Sequence, residues 1–117
     1  MVAPRAYVPG RGDIVWLAFT PQSGREQAGR RAALVLTPAR YNEKVSLAIC
    51  CPITSQVKGY PFEVALPESL PVSGVVLADQ VKGLDWRSRH AAFACRVSDS
   101  VLEDVLLKLG ALLAIPE

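Results

Sequence analysis

Residues 24–37, GREQAGRRAALVLT, set a carboxylate, an amide, two glycines and three arginines directly against an apolar run. Glycines allow tight turns and leave room for a ligand to approach, while Glu26, Gln27, Arg30 and Arg31 supply an acceptor, an amide and cations, the makings of an anion pocket. A solvated loop whose arginines pair with surface acids accounts for the same composition. A second concentration lies in residues 52–64, PITSQVKGYPFEV, where an apolar run ends in Thr54, Ser55, Gln56 and Lys58. Hydroxyls, amides and ammonium groups are donors for phosphate oxygens, although an ordinary turn carries them too. A third, residues 77–90 or LADQVKGLDWRSRH, interleaves Asp79, Gln80, Lys82, Trp86, Arg87 and Arg89. Alternating aromatic and basic residues suit stacked single-stranded bases, while a tryptophan in so small a chain also serves a core or an interface.

Other chemistries lack their parts. No Walker loop, no GxGxxG after a strand, no GxSxG elbow and no CxxC pair occurs, and His90 is the single histidine. Nucleotide, serine-hydrolase and zinc sites are thereby excluded, and no cofactor is expected. His90 could act as a base or lie on the surface. Cys50 and Cys51 are adjacent in an apolar run, where strand alternation sends them to opposite faces, so the three cysteines read as small buried thiols in a reducing compartment.

The elements that must hold these groups are short. At 117 residues, half of them apolar, the chain is expected to form one domain over residues 1–117. It has no run near the about 20 apolar residues of a membrane span and no signal-peptide core, which makes cytoplasm the expectation. Residues 12–20 predict a strand, then a loop of about ten residues, a second strand over 32–37, and a third over 45–53 after a polar turn around Asn42. Further strands are predicted over 62–66, within 74–84 and over 91–97, six in all. Val101, Leu102, Val105, Leu106, Leu109, Leu112 and Leu113 recur at helical spacing and predict an amphipathic, core-facing C-terminal helix, with Ser98 competing against a Ser100–Glu103 capping box. With no βαβ alternation, the fold class is β-rich α+β, a mostly antiparallel β-barrel or strongly bent sheet. Residues 1–96 carry twelve Lys/Arg against seven Asp/Glu, while residues 97–117 carry one against four. A basic body of that size suits a polyanion and a solvated surface alike.

Four blocks in order, GDIVWLAFTP, GREQAGRRAALVLTP with Tyr41 and Asn42 after it, PITSQVKGYPFEV and LADQVKGLDWRSR, resemble the MazF/PemK family of toxin endoribonucleases. The resemblance spans roughly residues 7–90, and the terminal helix matches in position. It implies a small SH3-like β-barrel with a C-terminal helix, a homodimer, and sequence-specific, metal-independent cleavage of single-stranded mRNA. The products would carry 2′,3′-cyclic phosphate and 5′-hydroxyl ends, and the partner would be a cognate antitoxin with an acidic, disordered tail. Residue by residue, it places the catalytic arginine on Arg31, the catalytic threonine on Thr54 and the acid of the substrate loop on Glu26. Substrate contacts are expected at Phe19, Gln27, Arg30, Asn42, Pro52, Gln56, Lys58, Gln80 and Lys82.

The reaction so implied needs little from the protein's side chains. In-line attack by the RNA's own 2′-hydroxyl requires that this hydroxyl lose its proton, that the phosphorane's charge be stabilised and that the 5′-oxygen be protonated. A guanidinium at Arg31 would clamp the phosphorane, with Thr54 as a second donor, and Glu26 would either act as base or orient Arg31. Where the family commonly has proline after its arginine this chain has Ala32, and Arg30 stands where some members have histidine. Ala18 and Thr20 occupy the place of a loop acid, departures that bear on the bases recognised. A rival reading on the same fold is a non-enzymatic gyrase poison of the CcdB type.

Overall fold

The computed structural model describes residues 6–19 and 29–117. Among the described residues, seven strands and two helices follow one another: β1 Asp13–Phe19, β2 Gly29–Val35, α1 Ala39–Val45, β3 Ala48–Thr54, β4 Glu63–Ala65, β5 Val75–Leu77, β6 Lys82–Leu84, β7 Ala92–Arg96 and α2 Asp99–Leu113. The strands are joined in the order β4-β5-β3-β2-β1-β7, with β6 also paired to β3, and all pairings are antiparallel. The order ends at β4 and β7 and β6 pairs with β3 alone, so the described strands form the strongly bent antiparallel sheet among the expected alternatives, open and not closed into a barrel.

β3 makes the bend. It pairs with β2 on one side, while on the other Ala48 to Cys50 meet β6 and then Ile53 and Thr54 meet β5. The two faces of the sheet bury separate apolar layers. Cys51, with Ile14 and Leu34, belongs to the layer under α2; Cys50, with Val15, Leu17, Ala33 and Trp86, belongs to the other. The adjacent cysteines therefore face opposite ways, as a strand's period of two demands.

Several element expectations are corrected, and the open choice of helix cap is decided. The polar turn around Asn42 is the helix α1, begun at Pro38 and ended by Ser46 in the left-handed region at φ 61°. Seven residues are too few for a legible apolar period. The helix displaces the start of the third strand from 45 to Ala48. Residues 74–84 hold two strands, β5 and β6, because each is only three residues long. In α2, Ser98 is the N-cap, accepting from the Val101 N–H at 3.4 Å, and the Ser100–Glu103 box is not the cap. Val105 is buried there and Val101, Leu102 and Leu109 pack on the core, but Leu106 is 40% and Leu113 76% exposed. Only one stripe of the helix faces the sheet, and Lys108 ties it down by donating to Pro61 O at 2.8 Å.

The end of the sheet away from Phe19 is locked by Asp13, which is 8% exposed. Its carboxylate accepts from Tyr7 Oη at 2.6 Å, Gly10 N at 2.9 Å and Arg96 Nη1 at 3.0 Å. Burial and that carboxylate push the Tyr7 hydroxyl far above its ordinary range, so it remains a donor. A buried carboxylate with three donors is the arrangement that offsets its desolvation.

Candidate active site

At the other end of the sheet the second apolar layer gives out. Along β1 the same face carries Val15, Leu17 and then Phe19; along β2, read backwards, Val35, Ala33 and then Arg31; along β3, Cys50, Pro52 and then Thr54. Leu17 pairs with Arg31 and Cys50 with Lys82. Ladder pairing between β2 and β3 runs from Val35↔Cys50 to Ala33↔Pro52. One face is thus core at one end and a polar cleft at the other, and the strands that carry the cleft side chains are anchored by the core they continue from.

The cleft measures about 750 Å³. Phe19, Arg30, Arg31, Pro52, Thr54, Gln80 and Lys82 of the expected residues all line it, joined by Trp16, Ser55, Ser73 and Arg89. Arg31 lies with its guanidinium 5.3 Å from the centre of the Phe19 ring, and Arg89 with its own 4.6 Å from the same ring. Arg30 alternates to the other face and stands 5.7 Å from the Trp16 ring. Aromatic faces attract cations without neutralising them, so the guanidinium donors remain available to an anion.

Thr54 closes β3 and is half-buried. Its Oγ1 accepts the Gln56 N–H at 3.1 Å, which occupies one lone pair and leaves the hydroxyl proton to donate elsewhere. Gln56 and Lys58 lie beyond the cleft lining on an exposed segment whose backbone is held by Glu63: the Lys58 and Gly59 N–H groups donate to its carboxylate at 3.1 and 2.9 Å. Glu26 and Gln27 lie outside the described residues.

Asn42 is a correction. It is fully buried, donates from Nδ2 to Pro9 O at 2.7 Å and Thr37 O at 2.9 Å, and accepts from Thr37 Oγ1 at 2.6 Å. Its backbone carbonyl accepts Trp86 Nε1 at 3.0 Å. With every polar atom engaged, it is a structural knot between the N-terminal segment, α1 and the Trp86 turn, and offers no surface to a substrate. Trp86 is a core residue, with the Arg87 guanidinium 4.5 Å from its ring. His90, exposed and at φ 53°, lines a separate recess with Glu43 and Arg87 and takes no part in the cleft.

Arg89 is a cationic cleft residue that the sequence reading leaves without a site role. Its backbone carbonyl accepts the Ala18 N–H at 2.7 Å, docking the 85–91 turn on the end of β1 and so bringing its side chain to Phe19. Only the arginine-tryptophan interleaving of residues 77–90 hinted at it. Cys50 also reaches the cleft, but burial pushes its thiol up to about 12, so it is no nucleophile at neutral pH. Among the described residues, no three His, Cys, Asp or Glu side chains converge as a metal site would require.

Guanidinium, ammonium, hydroxyl and amide donors converge around aromatic rings, a lining suited to the class of polyanionic ligands. Comparison with known proteins narrows that class. The profile of the PemK-like, MazF-like toxins of type II toxin–antitoxin systems matches residues 10–113. The chain is 46% identical to the endoribonuclease toxin MazF of Escherichia coli K12 over 92% of its own length and 96% of that protein. It is 37% identical to the endoribonuclease toxin ChpB of the same strain, over 86% of this chain and 90% of that one. A MazE–MazF crystal structure from Deinococcus radiodurans superposes with a TM-score of 0.90 at 57% identity, covering 95% of this chain and all of the other. The chain belongs to the PemK/MazF family and is a MazF-like endoribonuclease toxin of a type II toxin–antitoxin system.

Proposed function

We propose that the chain cuts single-stranded mRNA sequence-specifically and without a metal ion, by attack of the RNA's 2′-hydroxyl on the adjacent phosphorus. The P–O5′ bond breaks, leaving a 2′,3′-cyclic phosphate and a 5′-hydroxyl, and translation and growth stop. The observation that carries this reading is that Arg31 and Thr54 line one cleft. Arg31 stabilises the phosphorane's added charge and the Thr54 hydroxyl donates to a second oxygen. Phe19, Arg30, Pro52, Gln80 and Lys82 hold the strand, with Gln56 and Lys58 meeting it beyond the cleft; Glu26, as base or by orienting Arg31, and Gln27 are the remaining residues assigned to the reaction. The need for a 2′-hydroxyl selects RNA over DNA, and a cleft with aromatic walls admits unstacked bases more readily than a duplex.

The partner is a cognate antitoxin whose acidic, disordered tail lies across the cationic cleft, a reading supported by Arg30, Arg31, Lys82 and Arg89 on its walls and by the antitoxin complex formed by the Deinococcus radiodurans relative. The chain works in the cytoplasm as a homodimer, covering apolar side chains that stand exposed on α2, Leu107 at 70% among them. The bent sheet then serves as an SH3-like barrel left open at β4 and β7.

Purified protein incubated with a long RNA in EDTA tests the reading. Fragments with cyclic phosphate ends are expected. Intact RNA together with trapped gyrase–DNA complexes would replace this function by the gyrase-poison alternative.

A further inference from the structure

Thr54 is held from behind by a residue that has no side chain. Gly74 immediately precedes Val75, the β5 partner of Thr54, and sits at φ +117°, where L side chains are strained. A Cβ there would overlap the Thr54 carbonyl oxygen and lie 2.8 Å from its carbon and 3.0 Å from Ser55 Cα. Gly74 is itself fixed, since its carbonyl accepts the Leu66 N–H at 3.0 Å. Among the described glycines it alone meets backbone in this way: Gly12 faces the flexible Arg96 side chain, and Gly29, Gly59, Gly83 and Gly110 face open space.

The consequence reaches the hydroxyl. The Thr54–Ser55 peptide, against which Gly74 lies, also begins the turn in which the Gln56 N–H reaches Thr54 Oγ1. Pushing that peptide away from β5 shifts the Thr54 hydroxyl relative to Arg31, which rides on β2 and does not move with it. A misplacement of about 1 Å in a reacting geometry costs on the order of 100-fold in rate.

We propose that Gly74 is a positioning residue of the cleavage reaction, whose bare Cα lets β5 close on the Thr54–Ser55 peptide and so sets where the Thr54 hydroxyl meets the scissile phosphate. This rests on the function proposed above. It assigns a kinetic role to a residue outside every motif that the sequence singled out.

The test is Gly74→Ala beside Gly12→Ala, which carries comparable backbone strain at φ +93° remote from the cleft. Both are assayed well below their thermal midpoints. Gly74→Ala is expected to lower kcat by roughly 10- to 100-fold, with KM and the affinity for RNA bearing a 2′-deoxy sugar at the cut within about threefold. Gly12→Ala keeps its kcat. On a Thr54→Ala background, Gly74→Ala adds no further loss, since a residue acting through Thr54 has nothing left to position. Full kcat in Gly74→Ala, an undiminished penalty on the Thr54→Ala background, or a chain unable to fold at any temperature each overturns the proposal. A readout independent of cleavage is the Gln56 amide in a ¹H–¹⁵N spectrum, expected to shift in Gly74→Ala but not in Gly12→Ala. An unmoved Gln56 resonance overturns the positioning role whatever the chain cuts, whereas a wild-type chain that cuts no RNA sinks the proposed function alone.

Discussion

Arg31 and Thr54 lie two positions beyond Ala33↔Pro52, the last pair of the β2–β3 ladder, and both line the cleft. Their side chains share a face of the sheet, and each is the first polar group beyond an apolar row. Arg31 is held by its pairing with Leu17 and Thr54 by its pairing with Val75, so both are carried by strands and not by loops. Arg31→Ala is expected to lower single-turnover cleavage of a labelled RNA by about 100-fold or more, the scale of losing a preorganised charge-stabilising donor. Thr54→Val, which keeps the shape and removes the hydroxyl, should cost about 10-fold or more, and the double variant little beyond Arg31→Ala alone, since both donors serve one transition state. Additive losses would mean that the two act on different steps.

Phe19 presents one ring to two guanidiniums, Arg31 and Arg89. Each such contact is worth about 0.5–1 kcal/mol at an exposed site, enough to bias a rotamer and too little to hold one alone. Phe19→Leu should therefore cut kcat by roughly fivefold through Arg31 and weaken RNA binding through Arg89. Arg89→Ala should chiefly raise KM and reduce the slope of log affinity against log salt by about one, as expected for one lost phosphate contact. Titrations with a 2′-deoxy-blocked RNA at several salt concentrations read this directly. An unchanged slope would remove Arg89 from the strand's path.

What could be read from the residues alone follows from what strands and clusters announce. β1, β2, β3 and β7 show apolar runs bounded by turn residues, and the three polar clusters do contribute to one cleft. β6 was hidden because KGL has neither alternation nor bulk, and α1 because its seven residues bury only Asn42. The exposed side of α2 was invisible to periodicity, which counts apolar positions without saying what covers them. Gly74 and Arg89 act across chain separations that no local pattern encodes, and their roles emerge only once β5 lies on Thr54 and the 85–91 turn docks on β1.

The substrate contact expected at Asn42 rests on the family resemblance, whereas here its side chain bonds Pro9 and Thr37 and its carbonyl accepts from Trp86. Asn42→Ala strands two carbonyls and a hydroxyl in the interior and should destabilise the fold by about 2–4 kcal/mol, lowering the thermal midpoint by roughly 10 °C. Measured well below that midpoint, cleavage should remain within about twofold of wild type. A large kcat loss in a well-folded variant would restore Asn42 to the site.

The vicinal thiols make stability depend on alkaline pH. Burial pushes Cys50 up to about 12 and Cys51 up to about 11 from an ordinary 9.0, with Cys51 additionally raising Cys50 and Asp79 raising Cys51. A folded-state value above the unfolded one means that the native chain holds its proton more tightly. The resulting stability is complete below pH 9, then drains away as pH rises toward 11 and 12, where the unfolded chain ionises first. Urea midpoints taken in reductant from pH 8 to 11 should fall with pH, and a Cys50→Ala/Cys51→Ala chain, less stable at neutral pH, should fall less steeply. At neutral pH a thiol reagent should reach the partly exposed Cys95 first and the other two only on unfolding. Rapid labelling of Cys50 in the folded chain would show that the cleft admits the reagent to an ionisable thiol, and would return that cysteine to the list of groups able to act there.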